Sequence, residues 1–374
     1  DGSTSVAETG TTDTFTVVLT AQPASNVVLT ITSSDTGEAT VTTPLTFTNA
    51  NWNTPQTVTV TGVDDSGVVD GDQVSTLTIA VDDANSDNDF DDVANQTVSA
   101  TTIDDDVAGF TVAQTDGSTS VAETGTTDTF TVVLTAQPTS NVVLTITSSD
   151  TGEASVAPSS LTFTPANWNS AQTVTVTGVD ENVVDGDQNS NITVAVLDAA
   201  SDDSFDDLAD QTVSATTTDN DVAGFTVAQT DGSTSVAETG TTDTFTVVLN
   251  AQPTSNVVLT ITSSDTGEAT VNTPLTFTNA NWDTPQTVTV TGVDDDIIDG
   301  TITSTITIAV DDAASNDSFD NLADQTVSTS TTDDDVAGFT VVESGGSTSV
   351  AETGTTDTFT VVLNAQPASN VVLL

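Results

Sequence analysis

The sequence predicts an all-β protein in which antiparallel β-sandwich domains follow one another as a linear array. Three observations predict it. A domain-length unit recurs along the chain, short runs alternate apolar and Thr side chains with the two-residue period of a strand, and Gly, Pro, Asn and Asp separate those runs. With 35% apolar residues gathered in runs rather than scattered, the chain can build packed cores despite its acidity.

The repeat is read directly. "DGSTSVAETGTTDTFTVVL" begins at Asp1, Asp116 and Asp231, and "GGSTSVAETGTTDTFTVVL" at Gly345. The period of 115 residues, one fewer in the third unit, is that of a whole domain and far longer than a solenoid coil. Boundaries placed after the acidic triplets give units at 1–106, 107–221 and 222–335, and a partial unit at 336–374. The first unit lacks the "VAGFTV" that opens the others. The copy at 336–341 is therefore a candidate strand for the first unit of another copy, joining subunits head to tail. The absence of Met and of an apolar leader gives the expectation of an internal, mature segment.

Within the second unit the strands follow from alternation. Phe130, Val132 and Leu134 share one face, as do Val142, Leu144 and Ile146, then Val174 and Val176, then Ile192, Val194 and Val196. Thr fills most of the outward positions, where its β-branched side chain suits a pleated surface. Adding "AGFTV", "LTF" and "QTVSATT" makes about seven strands, the number of an immunoglobulin-like sandwich.

Charge excludes several functions. The 56 Asp and Glu face no Lys, Arg or His, a formal charge of -56, so nucleic acid and anionic membranes are repelled and no membrane insertion is expected. Disulfides and Lys-Asn cross-links have no residues to form from. Without His, Cys, Lys, Arg or Tyr, the only catalysis left is a glycosidase-like carboxylate pair, and the chain reads as a non-enzyme.

If neighbouring strands alternate in direction, the acids of the first unit fall at one pole: Glu8, Asp35 and Glu38, Asp64 and Asp65, Asp70 and Asp72, and Asp104, Asp105 and Asp106. Crowded carboxylates repel unless a cation sits among them. Ca²⁺ suits an all-oxygen set of Asp, Glu and carbonyl groups, whereas zinc prefers His or Cys. No EF-hand loop occurs, so the ligands come from separate loops. The triplet Asp104–Asp106 also links one unit to the next, so an ion bound there would fix neighbouring repeats. The loop from Asp82 to Asp92 falls at the other pole, with Asp202, Asp203, Asp206 and Asp207 as its counterparts in the second unit.

At "SVAETG", at "VDD" followed by "VVDGD", and at the closing "IDDD", the repeat resembles the Calx-beta family of calcium-binding sandwiches and the tandem repeats of giant bacterial surface adhesins and appendages. The resemblance implies Ca²⁺ ligands at Glu123, Asp150, Asp180, Glu181, Asp185, Asp187, Asp219 and Asp221. In the third unit it implies Glu238, Asp265, Asp294, Asp295, Asp299, Asp333, Asp334 and Asp335. Two departures stand out: "DGDQ" replaces the family's Glu-rich segment, and "DDDIIDGT" lacks the second Asp.

The expectation is an extracellular, cell-surface stalk or filament whose partners are calcium ions, neighbouring repeats and copies of itself. The alternative is a carbohydrate-binding module. Trp52, Trp168 and Trp282 recur in "NANWN", "PANWN" and "NANWD", as glycan contacts or as plugs at the sandwich end. The Asn-x-Ser/Thr triplets at Asn95, Asn191 and Asn316 fall at different repeat positions and read as accidental.

Overall fold

The computed structural model describes residues 3–367 and 369–374, and it is all-β. Packing divides the chain into two compact units. One runs to Asp180 and includes Asn189–Thr218; the other comprises Glu181–Gln188 and Asp219–Leu374.

In the first unit the strands of the opening repeat are β1 (Thr4–Ala7), β2 (Thr12–Val17), β3 (Val27–Ser33), β4 (Ala39–Val41), β5 (Leu45–Phe47), β6 (Gln56–Gly62), β7 (Val68–Val69), β8 (Gln73–Val81) and β9 (Gln96–Ile103). They form a five-stranded sheet, β1-β9-β8-β3-β5, and a three-stranded one, β2-β6-β4. The second repeat opens with β10 (Phe110–Gln114), β11 (Thr119–Ala122), β12 (Thr127–Leu134) and β13 (Gln137–Pro138). Here β10 lies antiparallel to β12 in one sheet, while β11 joins the other.

Within each complete set of strands one pairing departs from the antiparallel expectation. β1 runs parallel to β9, with Val6 opposite Thr102, and β11 runs parallel to Gln211–Thr218 in the same way. The reason is a strand that changes sheets. β10 ends at a turn where Gly117 has φ +81°, a value Gly adopts without steric cost, and β11 leaves for the opposite sheet beside a strand already running its way.

The faces read from alternation are the buried ones: Phe130, Val132 and Leu134; Val142, Leu144 and Ile146; Val174 and Val176; and Ile192 and Val194 all join one core, with Val196 half-buried at its margin. Burying each such side chain contributes about 1.5–3 kcal/mol. Phe205 is an addition, delivered to that core by a short 3-10 turn inside the acidic loop.

The second unit repeats the plan. Phe225–Gln229, Thr242–Leu249, Gln286–Gly292 and Ala269–Val271 make one sheet, and Thr234–Ala237, Gln325–Thr332, Ile302–Val310, Val257–Ser263 and Leu275–Phe277 the other. Beyond them Phe339–Glu343 pairs antiparallel with Phe359–Leu363, Phe339 opposite Leu363. This corrects the expectation that 336–341 is a spare donor strand. Its hydrogen-bonding edge is taken by the strand that follows it in its own chain, as β10 is taken by β12.

One glycine positions the site described next. A Cβ on Gly62 would collide with the carbonyl oxygen of Ala7, and Gly178 and Gly292 meet Ala122 and Ala237 in the same way. Only Gly lets the end of β6 approach β1 closely enough to carry the following residue, Glu8, inward. Gly62→Ala is expected to destabilise the first repeat by about 1–3 kcal/mol in denaturant unfolding, whereas Gly10→Ala, with open space around it, acts only through its φ of +82°.

Candidate metal centre

The first repeat gathers its acids by backbone hydrogen bonds from four directions. Glu8, just past β1, is held by its N–H donating to Ile103 O (3.2 Å). Glu38 precedes β4; its carbonyl accepts from Val63 N–H (2.9 Å) and from Thr102 Oγ1 (3.2 Å). Asp65 and Asp70 flank β7, and Asp65 Oδ1 accepts Val68 N–H (3.2 Å). Asp104 follows β9; its Oδ2 accepts Gly71 N–H (2.7 Å) and Asp70 N–H (3.2 Å), and its Oδ1 accepts Asp106 N–H (2.8 Å).

Two clusters result, and Glu8 belongs to both. Glu8, Glu38, Asp65 and Asp70 each offer an oxygen within 4.8 Å of the others, and so do Glu8, Asp104 and Asp106. Glu8 is 1% exposed and Glu38 8%. Both Glu8 carboxylate oxygens, Glu38 Oε2 and Asp70 Oδ1 are buried without a hydrogen-bond partner.

Such an arrangement is costly without a counter-charge. Two carboxylates about 5 Å apart repel by about 3 kcal/mol at an effective dielectric of about 20. Burial, then the charges of Asp65, Asp104 and Glu38, pushes Glu8 up to about 7, against an Asp105 N–H that approaches it without reaching hydrogen-bond geometry. Burial also raises Glu38, Asp65, Asp70 and Asp106, with neighbouring carboxylates adding to it.

The donor set fits a hard divalent cation: every clustered atom is a carboxylate oxygen, and several are buried without a hydrogen-bond partner. Glu8 would bridge the two clusters, with Glu38, Asp65 and Asp70 on one side and Asp104 and Asp106 on the other. An ion bound there supplies the positive charge the sequence lacks.

Other sequence candidates do different work. Asp35 Oδ1 accepts Gly37 N–H (2.9 Å), Asp64 Oδ1 accepts Ser66 N–H (2.7 Å) and Asp72 Oδ1 accepts Asp104 N–H (3.3 Å). These three and Asp105 are exposed and stand outside both clusters. They shape the loops that hold the others.

In the second unit, Glu238, Asp333 and Asp335 form the counterpart of the Glu8, Asp104 and Asp106 cluster. Burial first, and then Asp333, Asp295 and Glu268, pushes Glu238 up to about 7 against the opposing Asp334 N–H. Glu268 is raised by burial and by Asp299, Asp265, Asp295 and Asp333. Asp265, Asp294 and Asp334 are exposed. For the second repeat, Glu123 and buried Glu153 lie in the first unit with exposed Asp150 and Asp180. Glu181, Asp185, Asp187, Asp219 and Asp221 lie in the second, where Asp219 Oδ2 accepts Gly186 N–H (2.7 Å).

Sequence reasoning did not single out Glu153 and Glu268, and set Glu38 only at the pole. The signal was present in the recurrence of "DTGEA" at 35–39, 150–154 and 265–269, which puts a Glu at the same place in every repeat.

At the other pole Asp87 and Asp202 act as tethers, while Asp91 Oδ1 and Asp206 Oδ1 are buried without a hydrogen-bond partner. Buried Asp87 accepts Ala24 N–H (2.6 Å) and Ser25 N–H (2.8 Å), and Asp202 accepts Thr139 Oγ1 and Ser140 N–H (2.7 Å each). Trp168 and Trp282 are half-buried against the cores of their repeats, and Leu134 N–H donates to Trp168 O (3.2 Å). Trp52 is half-buried at the matching position.

No protein-family model matches the sequence, and no curated protein matches it. Among solved structures, the titin I-band fragment I67-I69 is similar at 9% identity and a TM-score of 0.27, covering 88% of this chain and 95% of that one. Domains 4-9 of the surface layer protein SbsC share 18% identity at a TM-score of 0.25, over 84% of this chain and 40% of that one. The calcium binding domain CBD12 of CALX1.1 shares 14% identity at a TM-score of 0.22, over 53% of this chain and 80% of that one. At such TM-scores the likeness carries neither site nor function across, and the carboxylates stand on their own geometry.

The raised glutamates set a pH dependence. Between the ordinary value of 4.5 and about 7, the folded chain holds protons on Glu8 and Glu238 that the unfolded chain has released. Stability from these groups is therefore highest below that window and falls as pH climbs through it. In chelator, the melting temperature is expected to drop as pH rises from 4.5 to about 7, and calcium is expected to abolish the drop.

Proposed function

We propose that this chain is a non-catalytic, extracellular structural segment, a stalk or filament region of a surface adhesin or appendage, whose tandem sandwiches are rigidified by Ca²⁺ at their junctions. The observation that carries this reading is a wholly buried glutamate, Glu8, with two unpartnered carboxylate oxygens inside a ring of acids, in a chain without one positive side chain. Once the pH rises past about 7 and protons no longer neutralise it, a site of that kind calls for an external cation, and Ca²⁺ is the hard cation abundant outside cells.

Near-identical units support a spacer rather than a reaction centre, and only carboxylates and hydroxyls are at hand for chemistry. The repeats we assign are 1–106, 107–221, 222–335 and the partial 336–374. No helix among the described residues is long and apolar enough to cross a membrane.

Small-angle scattering of the full chain tests the stalk. The maximum dimension is expected to shorten when chelator replaces calcium, as junctions loosen. Identical scattering profiles in the two conditions would remove the stiffening role.

A further inference from the structure

The loop that carries Asp65 and Asp70 also holds the next repeat. Between the two acids lies β7, which pairs in parallel with β13 of the second repeat: Val68 faces Gln137, and Val69 faces Pro138. Gln137 N–H donates to Gly67 O at 2.7 Å. Val69 is 7% exposed, and the core it joins is not that of its own repeat; it belongs to the cluster containing Phe110, Leu134 and Ala136.

The arrangement recurs in the second unit. Val183–Val184 pairs with Gln252–Pro253, Gln252 N–H donates to Asn182 O (2.6 Å), and Val184, 9% exposed, joins the core containing Phe225, Leu249 and Ala251. Further along, Ile297 bridges Gln366, and Gln366 N–H donates to Asp296 O (2.5 Å).

We propose that the loop between Asp65 and Asp70 is a latch that couples cation occupancy of one repeat's carboxylate cluster to the packing of the next repeat, with Val69 as its bolt. This rests on the calcium reading above. In the cluster of four, Asp65 and Asp70 sit on the loop around β7, whereas Glu8 and Glu38 adjoin strands β1 and β4. Repulsion in an uncompensated cluster is therefore relieved most easily by the loop moving outward. Ser66 and Gly67, both at positive φ (69° and 99°), give a tight turn just before β7, so displacement of Asp65 passes directly to Val68 and Val69. Restraining the two acids restrains the residues between them. The coupling is directional: each repeat's loop supports the repeat that follows.

Hydrogen–deuterium exchange of the full chain, in calcium and in chelator, tests this. In the unaltered chain, calcium is expected to slow exchange by about tenfold both in residues 63–72 and in residues 135–141 of the next repeat. Val69→Ser keeps every carboxylate, so 63–72 should still respond while the response at 135–141 is lost. Glu8→Gln, which leaves the bolt intact, should abolish both responses. If Val69→Ser keeps the response at 135–141, or Glu8→Gln silences 63–72 but not 135–141, the latch is refuted while calcium binding stands. No calcium response at either segment in the unaltered chain refutes both readings.

Discussion

Everything in this fold that is not ordinary sandwich packing answers to one constraint: buried carboxylates crowd together in a chain that has no cation of its own. Cores of Phe, Val, Leu and Ile explain why the strands pack. They do not explain why Glu8 is sealed at the end of a sandwich with neither oxygen hydrogen-bonded. A structure that tolerates mutual repulsion of this size stores a demand for positive charge, and a divalent ion meets it with the fewest particles.

The backbone creates that demand deliberately. Gly62 lets β1 and β6 touch, which drives Glu8 inward; Asp104 then grips the amides of Asp70 and Gly71, drawing the β7 loop over the cluster. The exposed acids Asp35 and Asp64 fold the loops as turn caps. Ligand-like and scaffold acids thus divide the work, and the same division reappears at Glu238, Asp333 and Gly292 in the second unit.

Much of this was legible in the sequence because strands have a period of two. Alternation marked Phe130, Val132 and Leu134 as inward, and counting strand reversals placed Glu8, Asp65, Asp70, Asp104 and Asp106 at one pole. Alternation is blind to which sheet a strand joins, so the crossing of β11 to a parallel partner was missed. Composition misled at Phe205, where an acidic loop hides a core residue behind a one-turn helix. Val69 was unreadable for a different reason: its apolar partners lie in the following repeat, and no local pattern reports a contact across a domain junction. Among the acids, sequence alone does not separate Asp64, which caps a turn, from Asp65, which faces the cluster, since the two are adjacent and identical.

The most direct test of the account is a calorimetric calcium titration of the full chain, paired with melting curves in calcium and in chelator. The account predicts saturable binding of more than one ion per complete repeat and a large rise in melting temperature, the linkage expected of an ion that binds only the folded state. Absence of binding heat together with superimposable melting curves would contradict it, and would leave the acids as a solvating coat.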